Sequence, residues 1–188
     1  MNDLIKSYYS KIESCFNSHS MNNIEHLAKR MKIAWENGST IYFCGNGGSA
    51  GNATHLANDF LYGAGILNGI GLRVESLSAN ASILTCLGND IGYENIFSEQ
   101  LRVKGNKGDV LVILSGSGNS SNILNALELA NKMGIDTFAI LGFNGGKALK
   151  IANTTIHFEI NDMQVSEDMQ MIVGHLCMQW LSKLKINK

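Results

Sequence analysis

The sequence predicts an α/β protein: a three-layer doubly wound fold around a five-stranded parallel sheet, preceded by an N-terminal helical pair. Three observations predict it. Short runs such as TIYFC from Thr40 and DVLVIL from Asp109 are almost wholly apolar rather than alternating, as strands buried on both faces are. Segments with helical spacing separate the runs, the pattern of strands joined by right-handed helical crossovers. Turns rich in glycine and serine follow two of the runs, just where helices open.

Taken in order, Leu4, Ile5, Tyr8, Ile12 and Cys15 recur at helical spacing, as do Ile24, Leu27, Met31 and Ala34. These predict two helices within residues 1–37, used in packing between subunits. Ser18-His19-Ser20 separates them, Asn22 or Asn23 caps the second, and Asn37-Gly38-Ser39 stops it. Thr40 to Cys44 is the first strand, followed by a glycine turn and a helix from Ser49 to Leu61. Gly63 to Gly71 is a loop with four glycines. Leu72 to Leu77 is the second strand, with helical segments at Ala81 to Leu87 and Tyr93 to Val103. Asp109 to Leu114 is the third strand, then a turn at Ser115 to Asn119 and a helix to Met133. Asp136 to Leu141 and Thr154 to Ile160 complete the sheet, and a last helix runs from Gln164 to Leu184. The chain has no proline, so its helix ends depend on Gly, Asn and Ser. Without repeats or a linker, residues 1–188 read as one domain.

Composition narrows the function. A net charge of −1 without a basic block argues against nucleic acid or a membrane surface as partner. Met1-Asn2-Asp3-Leu4 lacks the basic start and apolar run of a signal peptide, and no apolar stretch is long enough to span a bilayer. Cys15, Cys44, Cys86 and Cys177 are scattered and read as buried thiols in a reducing compartment. The expected location is cytoplasmic.

Two loops follow strands and open helices: Cys44-Gly45-Asn46-Gly47-Gly48-Ser49-Ala50 and Ser115-Gly116-Ser117-Gly118-Asn119-Ser120-Ser121-Asn122. Glycine lets backbone approach an anion, a helix N-terminus offers free N–H donors, and the hydroxyls of Ser49, Ser115, Ser117 and Ser120 add more. Ordinary turns and caps would explain one such loop. Gly45, Gly47 and Ala50 also fit a dinucleotide fingerprint, which needs an acidic partner, and Glu75 is a poor one. A P-loop is excluded because no Gly-Lys-Ser/Thr follows. Two hydroxyl-rich loops together favour a phosphomonoester.

His55 and Asp59 lie four apart and share a helix face, while Glu167 and His175 sit in the final helix. Two imidazoles and two carboxylates suit one divalent metal per site, such as zinc. Each residue alone is equally well a solvated or core side chain. Glu167 and His175 are also about 12 Å apart along a regular helix. Both reach one metal only at a frayed or bent helix start or in a site shared by two chains. The shared site is preferred, and it predicts an obligate oligomer.

Together CGNGGSA with His55 and Asp59 downstream, LGNDIGYENIFSEQ from Leu87, SGSGNSSN from Ser115 and SEDMQMIVGH from Ser166 resemble the phosphoheptose isomerases of the sugar isomerase (SIS) superfamily. The resemblance covers almost the whole chain. It implies a SIS domain in a cytoplasmic homotetramer with active sites between subunits, often with bound zinc. It also implies conversion of sedoheptulose 7-phosphate to glycero-manno-heptose 7-phosphate for lipopolysaccharide, capsule or surface-layer glycans. By motif, Asn46, Gly47, Gly48, Asn89 and Asp90 would contact substrate, and Ser115, Gly116, Ser117 and Ser120 would hold its phosphate. His55, Asp59, Glu167 and His175 would take the metal and catalytic positions. The sequence departs from the family at Asp59 (usually Glu), Glu167 (usually Gln), Asn52 and Asn80 (commonly Asp) and Gly116 (usually Thr).

Aldose–ketose interconversion needs a carbon base, a donor to the carbonyl oxygen, and stabilisation of the enediol. The expectation is Asp59 as carbon base with Glu167 as a second, and His175 moving the oxygen-bound proton. Two alternatives stay open: another ketose phosphate as substrate, or a non-catalytic SIS tetramer that binds the replication initiator protein.

Overall fold

In the computed structural model, which describes residues 1–66 and 69–185 apart from the Ser18 side chain, five parallel strands form one sheet in the order β2-β1-β3-β4-β5. The strands are β1 (Ile41–Gly45), β2 (Val74–Ser76), β3 (Val110–Ser115), β4 (Asp136–Leu141) and β5 (Thr154–His157). Among the described residues the helices are α1 (Asn2–Ser14), α2 (Ser18–Asn37), α3 (Gly48–Leu61), α4 (Ala81–Asp90), α5 (Ser98–Lys104), α6 (Ser121–Met133), α7 (Ala148–Ile151) and α8 (Met163–Ser182).

Alternate residues of each buried strand feed two cores. Ile41, Phe43, Val112 and Leu114 pack with α2, α3 and α8, while Tyr42, Cys44, Leu111 and Ile113 pack with α5, α6 and α7. This is why the strands are apolar along their length: both faces are covered. The expected three-layer doubly wound fold is the one observed.

Several local expectations shift. Asn17, not Asn22 or Asn23, caps α2: its side chain accepts from Ser20 N (2.9 Å) while the Ser20 hydroxyl accepts from Asn17 N (3.1 Å). This reciprocal cap starts the helix at the serines read as a separator, and Asn23 instead donates across to Thr155 O (2.8 Å). Gly38 ends α2 in the left-handed conformation, as expected (φ +68°). β2 is only three residues long, because it is an edge strand partnered on one side by β1. The segment from Tyr93 splits into a 3-10 turn (Tyr93–Asn95) and α5, and the one-turn α7 was not anticipated. Of the loop expected at 63–71, residues 67 and 68 lie outside the described residues. Cys86 is exposed rather than buried, since it sits on the outer face of α4.

α1 buries none of its residues, and Leu4, Ile5 and Tyr9 on it are exposed. It is tied down by Tyr8 OH donating to Asp168 (2.6 Å) and Lys11 pairing with Asp162 (2.7 Å). Among the described residues no helix is long and apolar enough to cross a membrane.

Candidate functional site

The strand order reverses between β1 and β3. These neighbours send their helices to opposite faces, α3 toward one core and α6 toward the other. The two turns therefore diverge and leave a crevice at the carboxyl ends of the strands, where doubly wound folds bind ligands.

Both glycine- and serine-rich loops line that crevice. In the first, Ser78 clamps the end of β1, accepting from Gly45 N (3.1 Å) and donating to Gly45 O (2.9 Å). Gly47 occupies the N-cap of α3 and has no side chain to cap with, so the first N–H groups of the helix stay available. In the second, Ser115 Oγ accepts from Gly118 N (3.0 Å) and shapes the turn. Gly118 has φ +64°, and a Cβ there would run into the Gly145 carbonyl, so this position requires glycine. Ser120 caps α6 without spending its hydroxyl on the helix, and Ser117 is exposed at the rim.

An amide pair stitches the loops together. Asn46 Nδ2 donates to Asn122 Oδ1, and Asn122 Nδ2 donates back to Asn46 Oδ1, each at 2.9 Å; Tyr93 OH also donates to Asn46 Oδ1 (2.9 Å). The result is a cleft of about 300 Å³ lined by Asn46, Gly47, Gly48, Ser49, Leu114, Ser115, Gly116, Ser117, Ser120, Met163 and Glu167. A larger hollow of about 500 Å³ lies beyond Ser117, lined also by Asn119, Phe143, Asn144, Glu159 and Asn161.

Eight of the ten residues expected to bind substrate thus meet in one cleft. Asn89 and Asp90 do not line it. They are exposed at the end of α4, where Asn89 Nδ2 donates to Asp90 (2.8 Å) and Cys86 Sγ donates to Asp90 (3.5 Å). The hydrogen bond to Asp90, with its negative charge, pushes the Cys86 thiol above its ordinary pKa. The longer-than-expected α4 carries the pair away, and Tyr93 reaches the site from that segment instead. Glu75 is ion-paired with Lys104, which commits the carboxylate a dinucleotide ribose would need.

The four expected metal and catalytic residues fall into two places. α3 and α8 pack side by side and run in the same direction, bringing Ser49 to Gln170, Leu56 to Gly174, and His55 to His175. Asp59 Oδ2 lies 3.3 Å from His55 Nε2 and 3.3 Å from His175 Nε2, and the two imidazole nitrogens are 3.3 Å apart. Three ligand atoms at the corners of such a triangle fit one ion. Bonds of about 2.0–2.1 Å in a tetrahedron give edges of about 3.3–3.4 Å and leave the fourth position open. His55, Asp59 and His175 can therefore hold a metal ion.

Glu167 is not with them. α8 is regular and firmly capped, Asp162 accepting from Val165 N (3.2 Å), so neither fraying nor a bend brings Glu167 to His175. Its carboxylate lies instead over the first turn of α3, its Oε2 2.5 Å from where a Cβ on Gly48 would stand. Asn52 fixes the backbone beneath it, donating to Glu167 O (3.0 Å) and Gln170 Oε1 (3.0 Å), while Gln170 Nε2 donates to Ser49 Oγ (3.1 Å). The sequence reading gave no role to Asn52, Tyr93, Asn122, Met163 or Gln170. All stand within or beside the quoted motifs, but their partners are far off in the chain.

A family profile for the SIS domain matches residues 7–142. A phosphoheptose isomerase of Akkermansia muciniphila is 43% identical over 154 residues, 82% of this chain and 81% of its own. One of Aneurinibacillus thermoaerophilus is 35% identical over 184 residues, 94% of this chain and 91% of its own. The structure of a phosphoheptose isomerase from Francisella tularensis matches with a TM-score of 0.90 at 25% identity, over 97% of this chain and 96% of that one.

Proposed function

We infer the reaction from kinship: the chain belongs to the SIS-domain family and, within it, to the phosphoheptose isomerases, so it is an aldose–ketose isomerase. Its substrate, on our reading, is sedoheptulose 7-phosphate, converted to glycero-manno-heptose 7-phosphate in the cytoplasm for the heptose of a surface glycan.

One observation carries this reading. Two hydroxyl-bearing loops on adjacent strand tips enclose a cleft with a carboxylate at one end. The Ser115–Ser120 turn offers hydroxyls and the α6 N-terminus to the phosphate, and the Asn46–Ser49 turn takes the carbonyl end. The donor set of two imidazoles and a carboxylate suits zinc, one ion held by His55, Asp59 and His175 of one chain. When bound, zinc would polarise a carbonyl oxygen as a Lewis acid. The same triad contains His175, the group expected to move the oxygen-bound proton.

The cleft and the triad are two helical turns apart along α3 and α8. We therefore propose that a complete site joins the cleft of one chain to the triad of another, in a homotetramer. The apolar face that α1 leaves exposed supports a role for the N-terminal helices in that packing. A non-catalytic scaffold has no use for the assembled triad.

The test is proton exchange from deuterated solvent into a panel of ketose phosphates, followed by NMR with and without a chelator. Deuterium should enter sedoheptulose 7-phosphate fastest, at the carbon beside the carbonyl, and chelation should slow it. A folded protein that labels no ketose phosphate refutes the isomerase reading.

A further inference from the structure

Resting on the isomerase reading, we propose that Glu167 is the carboxylate that takes the carbon-bound proton, in the cleft of its own chain.

Its placement is specific. Glycine at 48 leaves the space that the carboxylate fills: a Cβ there would lie 2.5 Å from Oε2 and 2.6 Å from Cδ. Among the described residues no hydrogen bond or ion pair engages the Glu167 side chain, so its lone pairs face the cleft uncommitted. Asp59, by contrast, lies between two imidazoles at 3.3 Å each. A carboxylate at Gly48 also repels a phosphate from the first loop. That sends the phosphate to Ser117 and Ser120 and leaves the carbonyl end beside Glu167.

Asn52 is the positioning residue. Its amide hydrogens meet two acceptors, Glu167 O and Gln170 Oε1, so a carboxylate at 52 would have nothing to donate to either. Two of the three positions where this sequence exchanges amide and carboxylate, 52 and 167, are thus in direct contact.

The step balances without a co-reactant. Glu167 removes the proton from C1 of the ketose; the C–H electron pair becomes the C1=C2 bond, and the carbonyl π pair moves to O2. The hydroxyl proton passes from O1 to O2, O1 forms the new carbonyl with C1, and the C1=C2 pair takes the proton back from Glu167 at C2.

The experiment measures solvent deuterium exchange and kcat for wild type, Glu167→Gln, Glu167→Asp and Asn52→Asp. Each also has its Kd for the unreactive alditol phosphate of the same length measured, and its fold checked by circular dichroism. Glu167→Gln should lose about 10²–10⁴-fold in exchange. Its alditol phosphate Kd should stay within about threefold, because the anchor is elsewhere. Glu167→Asp, one methylene short, should recover part of the rate, and Asn52→Asp should lower kcat at unchanged Kd. Glu167→Gln with exchange within about threefold of wild type overturns the assignment while leaving the isomerase reading intact. A wild type that exchanges with no ketose phosphate overturns both.

Discussion

Two inactive variants should restore activity to one another. The distances explain why. Gly48 and Asp59 are eleven positions apart on α3, about 16 Å along a regular helix, and Glu167 and His175 are about 12 Å apart on α8. Reacting groups must approach to about 3–3.5 Å, so a carbonyl held at Gly48 is out of reach of the triad in the same chain. If a second chain supplies the triad, damage to the phosphate loop (Ser117→Ala with Ser120→Ala) and damage to the triad (His175→Ala) strike different halves of each site. Each variant alone should be close to inactive. Unfolded together in equal amounts and refolded, they mix at random, and about one site in four then joins an intact loop to an intact triad. The assay is isomerase turnover of the mixture, with assembly verified by light scattering. Recovery of about a quarter of wild-type turnover is the expected result. Normally assembled mixtures with no recovery would refute the shared site.

Three further outcomes follow from the geometry. Gly174 is buried against Leu56, and a Cβ there would stand 2.7 Å from Cδ1 and 3.0 Å from Cγ. Gly174→Ala should therefore cost about 1–3 kcal/mol by overpacking. The calorimetric Tm should fall by roughly 2–4 °C per kcal/mol, and an unchanged Tm would show that the helix pair has slack. Zinc at a hundredfold excess over its Kd should stabilise the chain by about 2.7 kcal/mol, and His55→Ala should abolish the shift. Burial, then the hydrogen bond to Asp168, pushes Tyr8 up to about 12. A raised phenol pKa adds stability that is complete below pH 10 and lost as pH climbs toward 12, so α1 should loosen there. Ultraviolet titration should show a tyrosine ionising near pH 12 that is missing in Tyr8→Phe.

Much of this was legible in the chain. The buried strands were readable because DVLVIL has no alternation to confuse, and β4 falls at Asp136–Leu141 as read. Both loops were readable because two hydroxyl-rich glycine turns after separate strands are more than ordinary turns and caps require. What escaped depends on partners distant in sequence. Asn17 was missed as a cap because Asn22 and Asn23 stand nearer the apolar repeat. Cys86 and the Asn89–Asp90 pair could not be placed without knowing how far α4 runs. Helical rise alone correctly separated Glu167 from His175. Only the parallel course of α3 and α8 shows that Glu167 ends over Gly48 while His175 meets His55 and Asp59.

The strand-order reversal at β1 and β3 has a consequence for how such a protein can change. The helix that opens from the first turn, α3, packs in the interior with α2 and α8, whereas α6, which opens from the second, packs in the interior with α5 and α7. A mutation in the packing of one of these helices bears first on the turn that the helix opens from. If the first turn meets the sugar and the second the phosphate, as proposed, preference among sugars can drift over generations while the hold on the phosphate survives.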